Sequence, residues 1–191
     1  MRLLKLSALL VTATFAQAQS GSSTGTTAGH VPDPPFLNQV YYYYADSLVE
    51  CPKTDGQMSN KVKALGFGGN QMVYSMDGSR SALRIKAGDS LKFMVKMVTM
   101  MGDPSSVMHL YRFESKKDSR ESLMSSQSRF GGNKEPKNEV LYNIQRSGTD
   151  AYVLIPAARL APGEYAFMNA TMMRQQGMSV GYTFYTFGVD P

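Results

Sequence analysis

The segment 149–190 constrains the fold of this chain more than any other part. It holds three apolar, β-prone runs at residues 151–155, 164–169 and 180–189, and the sequence LAPGEY at 160–165 joins the first run to the second. Pro162 favours a turn, and Gly163 supplies backbone freedom beside it. In antiparallel sandwiches, a tyrosine such as Tyr165 often donates its hydroxyl to the backbone of the preceding corner. The segment therefore predicts a Greek-key crossover between two sheets.

Short β-prone runs separated by turn residues fill most of the remaining chain. Val40–Tyr44 is rich in strand-forming residues, and Thr54-Asp55-Gly56 has the composition of a turn. No segment keeps the apolar period of a helix over its length. We therefore predict an all-β fold, a Greek-key β-sandwich of the immunoglobulin or fibronectin III kind with extra N-terminal strands.

The N-terminal region has the pattern of an export signal followed by a linker. Arg2 and Lys5 precede an apolar run that is too short to span a bilayer, and the triplet AQA at 16–18 has the form of a cleavage site. Residues 19–35 are rich in Ser, Thr, Gly and Pro, which is typical of a flexible linker. We predict a signal peptide at 1–18, a linker at 19–35 and a single domain at 36–191. The mature chain is expected to be periplasmic, cell-surface or secreted, without a transmembrane segment.

Charge and motif content narrow the classes of function. The net charge of +5 is spread over short groups of Lys and Arg rather than one basic face, so we expect no nucleic-acid partner. The chain has two histidines and one cysteine, and no catalytic motif such as GxSxG or HExxH occurs. We therefore expect no enzymatic activity. The single cysteine, Cys51, is interpreted as a buried thiol, with an intermolecular disulfide as the alternative.

Methionine is the unusual feature of the composition, with fourteen residues. In the predicted sandwich two methionine-rich stretches, residues 94–101 and 168–178, would meet at one pole, where His109 could join them. Alternation nevertheless places His109 on the same face as Tyr111 and so in or near the core. Thioethers bind Cu(I), but they also fill irregular cores. The candidate metal ligands are Met97, Met100, Met101, Met172, Met173, Met178 and His109.

The tyrosines of residues 41–44 indicate a different use. A tyrosine-rich strand surface can stack on sugars or contact a protein, and its rings can also be satisfied by packing alone. The leading hypothesis is an exported, non-enzymatic module that binds a protein or glycan partner or has a structural role in the cell envelope. A periplasmic Cu(I)-binding protein is the alternative.

Two resemblances accompany these patterns. ALGFGG at 64–69, YSMDG at 74–78, KAGDSLKF at 86–93 and the closing PGEYAFMN and YTFYTFGVD make the domain resemble uncharacterised exported proteins from Bacteroidetes, which implies export and no particular activity. The corner LAPGEY with the later Gly177, Gly181, Phe184 and Phe187 is similar to the last strands of periplasmic copper-resistance sandwiches and to fibronectin type III modules. Where the copper family has Gly-His and an N-terminal histidine, this chain has Gly177-Met178 and Gln19. The second resemblance therefore implies a methionine-based Cu(I) site rather than a Cu(II) site.

Overall fold

The computed structural model describes residues 31–62, 70–88, 91–98, 104–127, 133–134, 138–176 and 179–191. Over these residues the chain forms strands and one short 3-10 helix, Pro104–Ser106. The strands are β1 (Val40–Tyr44), β2 (Ser47–Glu50), β3 (Lys53–Val62), β4 (Asn70–Asp77), β5 (Arg84–Lys86), β6 (Lys92–Lys96), β7 (Met108–Ser115), β8 (Ser119–Gln127), β9 (Asn133–Lys134), β10 (Tyr142–Arg146), β11 (Ala151–Pro156), β12 (Gly163–Gln176) and β13 (Ser179–Asp190). The all-β prediction is confirmed. The predicted signal peptide and most of the predicted linker lie outside the described residues.

Five strands form an open antiparallel sheet in the order β10-β11-β6-β1-β2. Phe93 of the central strand β6 pairs with Tyr42 of β1 and with Leu154 of β11, so the three residues lie on one apolar face of the sheet. β1 and β2 are joined by a two-residue turn at Ala45 and Asp46, whose φ angles are 47° and 58°. Positive φ at both turn residues is the type I′ geometry, which matches the right-handed twist of the flanking strands.

Six other strands close into a barrel. Their order is β12-β7-β8-β4-β3-β13, and β13 pairs again with β12. β5 adds in parallel to β13, and β9 extends the sheet beside β8. β7 and β8 pair at their hairpin end, and farther along residues 138–140 lie between them. Val140 donates its N–H to Leu110 O at 2.7 Å, and Asn138 Nδ2 donates to Leu123 O at 3.3 Å. This segment therefore completes the barrel wall.

The open sheet packs against the outside of the barrel through an interface core. At its centre the ring of Phe93 lies 4.5 Å from that of Phe187 and 5.1 Å from that of Phe167, measured between centroids. Withdrawal of this apolar surface from water stabilises the pairing of sheet and barrel. Other buried members are Val40, Cys51, Ile85, Leu91, Val95, Met97, Met108, Leu110, Tyr152, Leu154, Leu160, Tyr165, Tyr185 and Val189.

The inside of the barrel holds a second, separate core. Alternate residues of the barrel strands project inward, as in other small barrels whose interior is filled by side chains. The Tyr74 ring lies 5.1 Å from Tyr182, 5.5 Å from Tyr111 and 5.6 Å from Phe184, between centroids. Burial is the main cause that raises the pKa of Tyr74 to about 12. The buried members of this barrel core are Tyr74, Met76, Tyr111, Phe113, Ala166, Met168, Tyr182 and Phe184.

One expected turn is a strand interior. Thr54-Asp55-Gly56 lies within β3, so the turn predicted from its composition is wrong. The glycine is needed for a packing reason, because a Cβ at Gly56 would lie 2.6 Å from Phe184 Cε2 and 2.8 Å from Ser75 O. Composition alone cannot distinguish a glycine that bends the chain from one that makes room for a neighbouring ring.

The corner at residues 160–165 forms as expected from the sequence. Tyr165 donates its hydroxyl to Ala161 O at 2.8 Å, and its ring stacks on Phe187 with centroids 5.5 Å apart. This tyrosine corner is therefore confirmed. The wider expectation, an immunoglobulin-like Greek-key sandwich, is not confirmed: the sheet that contains β12 and β13 closes into a barrel instead of staying open.

Candidate functional site

The hairpin of β1 and β2 carries a pair of aromatic rings that are partly exposed. Tyr42 and Tyr44 are two residues apart and project to the same face of β1. Their ring centroids lie 6.0 Å apart, and the ring planes differ by 11°. Tyr42 rests on Phe93 of the interface core, whereas Tyr44 is 66% exposed. Val49 lies opposite Tyr42 on β2 and is also exposed. We call Tyr42, Tyr44 and Val49 the tyrosine platform.

Local sequence explains why this surface is held in place. The run of tyrosines favours an extended strand, and alternation sends Tyr43 to the opposite face. There its hydroxyl donates to Asp46 Oδ1 at 2.9 Å, which fastens the tight turn at the end of the hairpin. Burial, followed by the neighbouring Tyr44, raises the pKa of Tyr42. The Tyr42 hydroxyl therefore stays protonated and uncharged at neutral pH.

A polar groove lies on the outer wall of the barrel. It encloses about 250 Å³ and is lined by residues of β3 and β4 together with Gly181 of β13. Its polar groups are two carboxylates, an amide and a hydroxyl, from Asp55, Asp77, Gln57 and Ser75. Since Gly181 has no side chain, the backbone forms part of the floor. These groups are suited to a ligand rich in hydroxyls or amines.

One end of the barrel carries a histidine paired with a carboxylate. His109 Nδ1 lies 2.8 Å from Glu139 Oε1, and the imidazole stacks on the Tyr111 ring with centroids 6.0 Å apart. Glu139 pairs with Tyr111 across the barrel wall, so both side chains project to the same side of the sheet. Burial first, and the charge of Glu139 second, raise the pKa of Tyr111 above its usual range. The side chain of His109 is 28% exposed, so it lies at the barrel mouth rather than deep in the core.

The opposite end of the barrel is closed by a network of charges. Arg84 forms an ion pair with Glu164 and another with Asp190, the latter at 2.5 Å. The side chains of Arg120 and Glu164 are only 3% and 5% exposed, and they approach to 3.5 Å. The backbone N–H of Ser81 donates to Glu164 Oε2 at 2.7 Å. Burial lowers the pKa of Arg120, while Glu164 opposes that effect. The network thus keeps buried charges paired and has a structural role.

The residues predicted as metal ligands are divided between different parts of the molecule. Met97 is buried in the interface core, and Met172 Sδ accepts a hydrogen bond from Tyr185 of that same core at 3.8 Å. His109 instead lies against the barrel core. The second methionine stretch adjoins the start of β7, since Ala170 N donates to Val107 O at 2.7 Å. Met100, Met101 and Met178 lie outside the described residues, as does the side chain of Met173.

Three residues with a structural or chemical role escaped the sequence-based reasoning. Glu139 falls at the end of a stretch that reads as loop, and nothing in its neighbours indicates a partner for His109. Glu164 and Arg120 look like ordinary polar residues at strand ends. Their alternation with inward-facing neighbours could have indicated burial, but only if the closure of the sheet into a barrel had already been known.

Comparison with known proteins gave no significant match for this chain. No protein-family model matches the chain, and neither curated proteins nor solved structures gave a significant match. In the part of the chain that the structure describes, no helix has the length and apolar character needed to cross a bilayer. Over the same residues, no three or more His, Cys, Asp or Glu side chains come together as a metal site.

Proposed function

We propose that this chain is an exported, non-enzymatic module that binds a glycan through the tyrosine platform. The observation that supports this function is the near-parallel arrangement of the Tyr42 and Tyr44 rings, with Tyr44 largely exposed. Export is supported by the N-terminal sequence pattern of residues 1–18. The electron-rich face of an exposed tyrosine ring such as Tyr44 attracts the positively polarised C–H groups on the flat side of a pyranose ring.

The dimensions of the platform favour a glycan over a protein partner. A standard protein interface buries about 800 Å² on each partner. Two aromatic rings bury about 150–250 Å² each when fully covered, and Tyr42 is already partly covered by Phe93. The platform alone therefore falls well short of a protein interface. A sugar chain needs only a narrow contact of this kind, with its hydroxyls left in water.

The anchoring of the platform also supports a binding role. Tyr42 is held by Phe93, and the hairpin is closed by the type I′ turn and by the bond from Tyr43 to Asp46. Tyr44 lies parallel to this held ring, so less side-chain freedom is lost when a ligand stacks on it. A fixed surface of this kind suits weak, repeated contacts along a polysaccharide.

Affinity electrophoresis in gels that contain soluble β-glucans, xylans, mannans or chitosan tests this function. We expect at least one polysaccharide to retard the wild-type protein, and Tyr44→Ala to weaken the interaction about tenfold, equivalent to 1.4 kcal/mol. Tyr44→Phe should keep most of the binding because it keeps the ring. Glu50→Ala is the matched control, since Glu50 is an exposed residue of β2 that alternates to the face opposite Val49.

Two outcomes would contradict the proposal. The first is the absence of retardation by every polysaccharide, and the second is retardation that Tyr44→Ala leaves unchanged. If Tyr44→Ala instead removes a protein that copurifies with the chain, the platform is a protein-binding surface. Circular dichroism of each variant confirms that the compared proteins are folded.

A further inference from the structure

At one end of the barrel, His109 is paired with the carboxylate of Glu139. Its Nδ1 faces Glu139 Oε1 at 2.8 Å. A carboxylate at Nδ1 keeps the proton of the neutral ring there and leaves the lone pair on Nε2, on the side of the ring away from Glu139. Among the described residues, no hydrogen bond to Nε2 is found. Such carboxylate–histidine pairs commonly fix the orientation of a metal-binding imidazole.

A thioether lies directly across from this imidazole. In the antiparallel pairing of β12 with β7, Met168 is the partner of His109. Directly opposed residues share a face, and their Cβ atoms are about 4.5–5.5 Å apart. His109 stacks on Tyr111, and both Tyr111 and Met168 belong to the barrel core, which places the imidazole and the thioether on the inner side of the wall.

We propose that the His109 end of the barrel binds Cu(I), with His109 Nε2 and Met168 Sδ as ligands and Glu139 as the positioning residue. This site does not depend on the tyrosine platform. It also differs from the site predicted from the sequence, because it uses Met168 in the barrel core rather than Met97 or Met172 at the interface core.

The ligand chemistry selects this ion. A thioether is a soft ligand that suits Cu(I), and imidazole binds copper well. Structural zinc sites instead use four ligands from Cys, His, Asp or Glu. In the described part of the chain no group of three such side chains is present. The single positive charge of Cu(I) between neutral ligands is balanced by the carboxylate of Glu139, so the occupied site is electrically neutral.

The only thiol of the chain is a poor competitor. Cys51 is fully buried in the interface core, and burial raises its pKa far above the usual range. Soft metals bind the thiolate form, which this environment suppresses. His109 is partly exposed at the barrel mouth, so an ion from solvent reaches it more easily than Cys51.

Anaerobic titration of Cu(I) against a chromogenic Cu(I) chelator tests the site. The wild-type chain is expected to compete with the chelator, and His109→Phe and Met168→Leu should each weaken binding at least tenfold. Phe keeps a ring against Tyr111, and Leu keeps most of the volume of Met168, so both variants should fold. Met76→Leu is the matched control, because Met76 is a buried methionine of the same core but pairs with Arg120 near the charged end.

Glu139→Gln separates a positioning role from a merely structural one. Loss of such an outer partner typically weakens metal binding about 10–100-fold. If Glu139 only supported the barrel wall, thermal stability would fall and the affinity of the folded protein would not change. X-ray absorption of the wild-type complex should show sulfur and nitrogen scatterers, and that spectrum requires no variant to fold.

Several results would overturn the proposal. They are a wild-type chain that does not compete for Cu(I), equal affinities of wild type and Met168→Leu, and an equal loss in Met76→Leu. An absorption spectrum with no sulfur scatterer would exclude Met168 as a ligand. If Cys51→Ala abolished binding, the thiol would be the ligand. Because Tyr44→Ala leaves this site intact, failure here and failure of the glycan hypothesis are distinguishable.

Discussion

The closed barrel and the open sheet solve the problem of edge strands in different ways. In the barrel, β12 pairs with both β7 and β13, so the ring of six strands closes on itself. In the open sheet, β10 and β2 stand at the two ends of the strand order. The barrel therefore encloses its own core. The open sheet buries Tyr41, Met94 and Val153 on one face and packs its other face, which carries Phe93, against the barrel. Tyr42 of the tyrosine platform lies on the Phe93 face, and Tyr44 and Val49 are exposed beyond it.

The contents of the two cores follow from this difference. The barrel core is built largely from tyrosine and methionine, and its ends hold His109 and the buried pair Arg120–Glu164. The interface core also contains aromatic residues and methionine, but its largest group is Val, Leu and Ile. A narrow closed barrel lets polar groups of several strands meet at its ends and satisfy one another. A flat interface between layers offers few such partners, so apolar packing dominates there.

The largest expected effect comes from the charged end of the barrel. Glu164→Ala removes the carboxylate that pairs with Arg84 and Arg120 and leaves a buried guanidinium without its counterion. We expect a loss of about 3–5 kcal/mol in the free energy of unfolding. Urea denaturation followed by circular dichroism measures it. Glu114→Ala, whose side chain is 75% exposed, is the control and should change stability by less than about 0.5 kcal/mol. A loss below about 1 kcal/mol for Glu164→Ala would show that the network is dispensable.

The next effect tests whether the open sheet is part of the same cooperative unit. Leu154 is fully buried in the interface core, so Leu154→Ala should cost about 2–5 kcal/mol. Leu141→Ala, at a largely exposed position, should be nearly neutral. Tyrosine fluorescence and circular dichroism should report the same urea midpoint in both variants. Separate transitions for the two signals would mean that the barrel and the sheet unfold independently, as two cooperative units.

A smaller effect is expected at the tyrosine corner, where the barrel and the interface core meet. Tyr165→Phe keeps the ring on Phe187 and removes only the hydroxyl that donates to Ala161 O. The loss should be about 1 kcal/mol, the usual contribution of one hydrogen bond. Tyr44→Phe removes an exposed hydroxyl and serves as the control. Equal midpoints for the Tyr165→Phe variant and wild type in urea would show that the corner bond adds nothing to stability.

The smallest expected effect is a gain, and it concerns the open sheet. Ala45 has a φ of 47°, in the left-handed region that costs a residue with a Cβ about 1–2 kcal/mol. Ala45→Gly relieves this cost. It also raises the conformational entropy of the unfolded chain, which destabilises the folded state by about 0.4–1 kcal/mol. We therefore expect a net gain of about 0.5 kcal/mol. Ala158→Gly is the control: no positive φ is relieved there, so this variant should lose stability. If Ala45→Gly lost stability as well, the turn would not be strained.

Much of the secondary structure was predictable because strand periodicity is a local property. The run at residues 40–44 forms β1 as expected, and the LAPGEY corner places the Tyr165 hydroxyl on Ala161 O. The candidate metal ligands were chosen by residue type and by proximity in an assumed sandwich. The structure divides Met97 from His109 because Met97 follows β6 of the open sheet and packs in the interface core, whereas His109 lies on β7 against the barrel core. Glu139 could not be identified in advance, since it meets His109 only through the pairing of residues 138–140 with β7.

The sequence by itself determined the all-β class, the tyrosine corner and the run of tyrosines that forms the platform, because each depends on residues close together in the chain. Closure of the barrel, the interior position of Gly56 under Phe184, the pairing of His109 with Glu139 and the burial of Arg120 with Glu164 were decided by tertiary structure. These contacts join strands that are distant in the sequence. Their partners are selected by how the whole sheet curves and closes, which no local pattern of residues encodes.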